Sequence, residues 1–354
     1  MYIVDADRHL IEPFNLWGGL APELRSYLPE RAGYGLRIGG EDVWRPLLPR
    51  TERMLEAAAV ARAEDITAAA SGAGHLAAMD RAGIDAAVLF PTIAHFILAI
   101  EALPAHVVAD YARVYNTYAR LCCAADDRRL FAAGVVSRHD VTAMPDAVVR
   151  LADEGFRAVV VRPNPMHGRT IAHADYEPFF AACERTGLAL VVHEGSHARA
   201  PSAGADRFET RFGQHACSHP FEQMMALTGL IEAGVLERHP ALRVGFFEAG
   251  AGWLPYWLWR LDHIEYAQHR DEVREQVCRP PSEYFSRQCW VTVEPSEPGL
   301  DRVVETVGAD PLLFGTDFPH FDHDADTTPT ALDALGPEVA GAVLTDNPRR
   351  FYRL

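Results

Sequence analysis

Eight short apolar runs, separated by longer and mostly amphipathic stretches, dominate the sequence. They are Tyr2–Ala6, Ala86–Phe90, Phe131–Val136, Ala158–Val161, Leu188–Val192, Arg243–Phe247, Cys289–Val293 and Leu312–Gly315. Most are rich in Val, Ile, Leu and Phe without polar alternation, the pattern of strands covered on both faces. Helical stretches lie between them at Ala105–Ala125, Tyr176–Thr186, Phe221–Ala233, Leu254–His269, Leu300–Val307 and Glu338–Leu344. Gly187 and Gly234 follow two of these where a left-handed C-cap is expected. Eight strands with right-handed crossovers predict a (β/α)8 TIM barrel. A doubly wound open sheet is the competing arrangement, but no Gly-rich phosphate turn follows the first strand. Polar and titratable residues instead end nearly every strand, where barrel enzymes keep their chemistry. At 354 residues and 49% hydrophobic content, the chain 1–354 reads as one barrel domain.

One segment breaks the alternation. Residues 14–74 carry Pro13-flanked and internal prolines (Pro22, Pro29, Pro46, Pro49) and Gly-Gly pairs at 18–19 and 39–40. The segment reads as an insertion after strand 1 that has its own local structure, folds over the barrel mouth and shapes the substrate pocket. A second irregular stretch, Gly195–His219, follows strand 5.

Composition narrows the chemistry. The net charge of −16 repels phosphate backbones and anionic lipid, so a small-molecule substrate is expected rather than nucleic acid or a membrane. All 33 basic residues are arginine, which excludes a Schiff-base lysine, a Walker lysine and a metal-bridging carbamylated lysine. The six cysteines form no C-x-x-C pair, and the N-terminus enters a strand pattern without a basic leader. Reduced thiols and a cytoplasmic location are expected.

Three strand ends carry candidate metal ligands. Asp7-x-His9 follows strand 1, and alternate residues of a strand share a face. His193 closes the apolar run of strand 5, and Asp317 follows strand 8. Carboxylate oxygens and imidazole nitrogens suit zinc or a similar divalent ion, and an aspartate so placed can take a proton from activated water. Each element alone reads equally as a salt bridge, a buried histidine or a turn cap. In a closed barrel they converge.

With these residues in place, the chain resembles the amidohydrolase superfamily, in the branch of aminocarboxymuconate-semialdehyde decarboxylase. The resemblance rests on Asp5-Ala6-Asp7-Arg8-His9 with Glu12-Pro13, Arg162-Pro163-Asn164-Pro165, Val192-His193-Glu194-Gly195, His219-Pro220-Phe221-Glu222, Glu248-Ala249-Gly250-Ala251-Gly252-Trp253, Gly315-Thr316-Asp317-Phe318-Pro319-His320 and Asn347-Pro348-Arg349-Arg350-Phe351-Tyr352. It implies one divalent metal, zinc first and manganese second, held by Asp7, His9, His193 and Asp317. It also implies hydrolysis, hydration or decarboxylation of small carboxylated compounds, and a homo-oligomer, often a dimer. Glu12 competes with Asp7 for the metal.

The resemblance fails at one position. Decarboxylases of this branch place a proton-handling histidine after strand 6, where this chain has Glu248. Glu248 reads either as an acid/base or as a cap on the turn at Gly250–Trp253. His219 is an alternative acid/base, Arg162 a clamp for a carboxylate or half of an ion pair, His320 a partner of Asp317 or substrate, and Glu294 a weaker candidate. The leading expectation is a metal-dependent hydrolase. Non-oxidative decarboxylation comes second, and an inactive binding barrel third. The aromatic stripe Trp253, Tyr256, Trp257 and Trp259 reads as core or subunit interface.

Overall fold

A computed structural model describes residues 1–33, 35–44, 48–195, 201–294, 296–321 and 329–354. Parts of both irregular stretches, residues 34, 45–47 and 196–200, lie outside the described residues. Eight parallel strands form a sheet in the order of the chain. They are β1 Val4–His9, β2 Ala86–Phe90, β3 Leu130–Val135, β4 Ala158–Val161, β5 Ala189–His193, β6 Val244–Phe247, β7 Cys289–Val293 and β8 Leu312–Phe314. Helices follow the strands and pack outside them, giving the expected (β/α)8 barrel. Its strand residues are almost all buried, which is why their sequences do not alternate.

The seam between β8 and β1 closes just beyond β8. Arg8 and Phe318 form a parallel bridge. The Asp317 N–H donates to the Asp7 carbonyl at 2.8 Å, and the His9 N–H to the Phe318 carbonyl at 2.7 Å. Gly315 permits the close approach, since a Cβ there would sit 2.8 Å from the Asp7 Cβ. These bonds also explain why β1 runs to His9 instead of ending at Ala6. Its polar end is paired on both sides, with His9 opposite Phe90 of β2.

A buried carboxylate brackets the same seam. One Asp5 oxygen accepts the N–H groups of Asp7 (3.2 Å) and Thr316 (3.0 Å). The other accepts the Thr316 hydroxyl (2.6 Å) and Arg8 Nη1 (3.1 Å). The Arg8 guanidinium in turn lies over the Phe318 ring, 4.1 Å from its centroid.

Helix bounds differ from expectation in several places; the helix expected at Glu338–Leu344, for one, runs on to Tyr352 through a π-helical turn at Ala342–Asp346. The one expected at Phe221–Ala233 begins ten residues earlier and spans Arg211–Glu232, placing His219 within it. Pro220 suits the first turn of a helix and so looked like a start; here it sits inside, at the loss of one backbone hydrogen bond. The stretch expected at Leu254–His269 runs on to Val273 through a π-helical turn at Leu261–Tyr266. Of its aromatic stripe, Trp253 is buried while Tyr256 and Trp259 are exposed.

The insertion covers the mouth. After two 3-10 turns come three short antiparallel strands, Glu30–Ala32, Gly35–Ile38 and Glu41–Trp44. The helices Pro49–Ala61 and Ala63–Ala68 follow. Trp17, Leu24, Leu36 and Ile38 join the same hydrophobic cluster as the barrel core.

The bracket makes a stability prediction. Asp5→Ala strands the buried Arg8 charge, so unfolding free energy from urea titration should fall by about 3–5 kcal/mol. A loss below about 1 kcal/mol would show that Asp5 does not hold the seam.

Candidate metal centre

Four side chains from three strand ends meet inside the mouth. One ligand atom each from Asp7, His9, His193 and Asp317 lies within 4.8 Å of the others, and all four residues are buried. The His9 Nε2 is 3.0 Å from Asp317 Oδ1 and 3.5 Å from Asp7 Oδ1. The His193 Nε2 is 3.4 Å from Asp7 Oδ1. The two Nε2 atoms are 3.2 Å apart.

The imidazoles are oriented from behind. His9 Nδ1 lies 3.0 Å from the Pro91 carbonyl, and His193 Nδ1 lies 2.7 Å from the Glu194 carbonyl. A carbonyl only accepts, so each Nδ1 carries the hydrogen and each Nε2 turns a lone pair inward. Those lone pairs face each other and two carboxylate oxygens. Asp7 Oδ1 has no hydrogen-bond partner although it is buried. Such an array favours a positive charge between the atoms. Without a metal, protons serve. Burial opposes charge on His9, but Asp317 and Asp7 outweigh it and raise its pKa well above the usual value. Burial would raise the Asp7 carboxyl, but His193 and His9 outweigh it and hold it below the usual range. Two carboxylates and two imidazoles fit a divalent ion such as zinc or manganese.

Two residues of the site have unusual backbones. Asp317 has φ 48° and Glu248 φ 61°, in the left-handed region that non-glycine residues rarely adopt. Strain of that kind persists where surrounding structure enforces it, commonly at functional sites.

The remaining candidates fall in different places. His320 Nδ1 meets both Asp317 oxygens at 2.9 and 3.0 Å, and its Nε2 lies 3.2 Å from the Thr92 hydroxyl. Glu12 stands outside the four-residue group. Its oxygens accept the N–H groups of Thr92, Ile93 and Ala94, capping the short helix Ile93–Ile97. Glu248 does not cap the Gly250–Trp253 turn; Glu297 does, accepting from the Ala251 and Gly252 N–H groups. The Glu248 carboxylate instead bridges two histidines, with Oε1 3.4 Å from His219 Nε2 and Oε2 3.4 Å from His193 Nδ1. Burial and Asp317 would raise its pKa, but His219 and His193 together outweigh them and lower it. Glu294 borders a small void beside Asp7, Glu248 and Asp317.

A cavity of about 800 Å3 opens above the cluster. His9, His193, Glu194, His219, Glu248 and His320 line its barrel side. Arg162 is not on this wall. Its Nη2 pairs with Glu194 at 3.2 Å and its Nε with Asn164 at 3.0 Å, so it braces the wall from behind. Arg211 and Arg31 are the arginines among the described lining residues. Sequence reasoning missed Arg211 because it stands in a stretch without strand–helix periodicity. It also missed His95, whose Nε2 lies 2.8 Å from the His193 carbonyl and whose pKa burial lowers well below normal.

The chain matches the amidohydrolase family over residues 4–354. It belongs to the amidohydrolase family. Over 160 residues it is 27% identical to a 2-amino-3-carboxymuconate-6-semialdehyde decarboxylase from Dictyostelium discoideum, covering 44% of this chain and 41% of that protein. The match thus spans less than half of the relative. Among solved structures, an amidohydrolase from Mycobacterium avium subsp. paratuberculosis K-10 superposes with TM-score 0.79 at 19% identity over 99% of both chains. A 5-carboxyvanillate decarboxylase from Novosphingobium aromaticivorans, complexed with manganese and 4-hydroxy-3-methoxy-5-nitrobenzoic acid, gives 0.74 at 18% identity. That alignment covers 100% of this chain and 96% of the other. At such identities the structures establish a shared fold.

Two substitutions separate the metal from its surroundings. Asp317→Asn should lower bound metal, measured by elemental analysis after dialysis, well below the wild-type content. Glu12→Gln should keep the metal and lose about 0.5–2 kcal/mol of stability through the weakened cap. Metal loss in Glu12→Gln with none in Asp317→Asn would reverse the assignment.

Proposed function

We propose that this protein is a metal-dependent non-oxidative decarboxylase of a small carboxylic acid, with one divalent ion held by Asp7, His9, His193 and Asp317. The observation that carries the reading is the Glu248–His219 pair, which stands against the ligand cluster and lines a largely apolar cavity. The decarboxylases among the similar proteins support it over the hydrolase expected from sequence.

The ion, when bound, supplies a Lewis acid that anchors the substrate carboxylate. The rest of the chemistry belongs to the chain. His193 and His9 are fixed by the Glu194 and Pro91 carbonyls, so the anchor is held in one geometry. His320 orients Asp317 through its two close contacts. The cavity wall above, including Ile11, Ile93 and Phe96, removes water from the carboxylate. An anion is destabilised there relative to neutral carbon dioxide, which favours its loss.

The Glu248–His219 pair delivers a proton to the carbon bearing the carboxylate. A new C–H bond forms and the C–C bond to the carboxylate breaks. Carbon dioxide departs, and the bond's electron pair stays with the protonated carbon. The ionised Glu248 favours the protonated form of His219, whose imidazolium gives its proton to the carbon and takes the next one from solvent at the cavity. In this way the pair replaces the single histidine expected after strand 6. The mixed oxygen and nitrogen shell fits manganese as well as zinc.

The test uses metal-loaded enzyme and a panel of hydroxylated aromatic and enoic acids. Carbon dioxide should appear mole for mole with substrate loss, and product made in D2O should carry one deuterium at the vacated carbon. Product labelled from H2 18O without carbon dioxide would establish hydrolysis and sink the proposal. His219→Asn should reduce kcat by about 10²–10⁴ with metal content unchanged.

A further inference from the structure

The cavity is larger than a single carboxylated ring needs, and its two sides differ in chemistry. A ring with one carboxylate and two hydroxyls has about eleven non-hydrogen atoms. Even at roughly 30 Å3 each, the liquid-water value, it fills about 330 Å3. The cavity measures about 800 Å3, so more than half would stay open. Sites for drug-sized molecules span about 300–1,000 Å3.

The insertion supplies the apolar side of this cavity. The titratable groups of the barrel side come from strand ends and their following loops and helices. Leu36, Leu55, Ala59, Val60, Ala63 and Ile66 form the facing wall. Leu55 and Ala59 lie one turn apart on Pro49–Ala61, and Ala63 and Ile66 one turn apart on Ala63–Ala68, so each helix turns an apolar side to the cavity and together they form an apolar stripe. Two of its members are alanines, which leave the space unfilled. Val60, on the same wall, is 77% exposed. Arg31 and Glu56 are the charged residues that this insertion contributes to the lining, among those described. An apolar wall facing an open cavity gains free energy only when an apolar group covers it.

We propose that the substrate is amphiphilic, with a carboxylate-bearing head over the metal cluster and an apolar extension, an alkyl chain or second ring, against residues 55–66. The inference rests on the cluster being the carboxylate anchor, as in the proposed function. Selectivity among carboxylic acids then resides in the insertion, and the size of Ala59 and Ala63 sets how long an extension fits.

The experiment measures binding, not turnover, so it stands apart from the identity of the reaction. Manganese-loaded protein is titrated calorimetrically with 4-n-alkylbenzoates from methyl to octyl. Affinity should rise about fourfold per methylene until the cavity is full. In Ala59→Trp the rise should stop earlier, lowering the octyl-to-methyl affinity ratio at least tenfold. Affinity that stays flat or falls across the series in the wild-type protein overturns the extension. The matched 4-n-alkylbenzamides separate the two readings. They should bind at least tenfold more weakly at every chain length. A rising series with no preference for carboxylate over amide overturns the head assignment and locates the failure in the anchor, not the apolar wall.

Discussion

The barrel closes through two backbone hydrogen bonds, Asp317 N–H to the Asp7 carbonyl and His9 N–H to the Phe318 carbonyl. Three of the four residues in these bonds, Asp7, His9 and Asp317, also supply side chains to the candidate metal cluster. Closure and site assembly are therefore one event. If β8 failed to reach β1, Asp317 would stand away from Asp7 and His9, and His193 alone would face the mouth from the other side. The requirement explains the local sequence. Gly315 permits the approach, Asp5 ties the Asp7 and Thr316 amides to one carboxylate, and Arg8 neutralises that carboxylate where water cannot. A buried ion pair contributes little net stability, but its geometry specifies a single register.

The same tension recurs one strand pair away. Glu248 leaves β6 with a left-handed backbone and turns its carboxylate to His219 and His193. The turn that follows needs a cap, and Glu297 supplies it from beyond β7. Two acidic residues thus divide tasks that one might be assumed to combine: Glu297 stabilises the backbone and Glu248 faces the cavity.

What was legible in the sequence depended on how local the cause is. Asp7-x-His9 could be read because strand periodicity puts both on one face, and the apolar runs could be read because burial on both faces removes alternation. The Asp5–Thr316 bracket could not, since its partners lie 311 residues apart and no pattern links them. Glu12 resembled a ligand because carboxylates near a metal site look alike in sequence; only the fold brings Ile93 and Ala94 to it. The start of the Arg211–Glu232 helix was hidden by Pro220. The insertion's helices were hidden by alanines, which give weak amphipathic contrast, and those alanines matter because they leave room.

The insertion also has a simple position in the chain. It occupies one uninterrupted segment between β1 and β2, and none of the four clustered metal-ligand candidates lies inside it. The clustered side chains and the Glu248–His219 pair all lie outside residues 49–68. The fold thereby separates inheritance of chemistry from inheritance of taste. The wall that faces the cavity and the side chains that would act on its contents are thus encoded in separate parts of the chain.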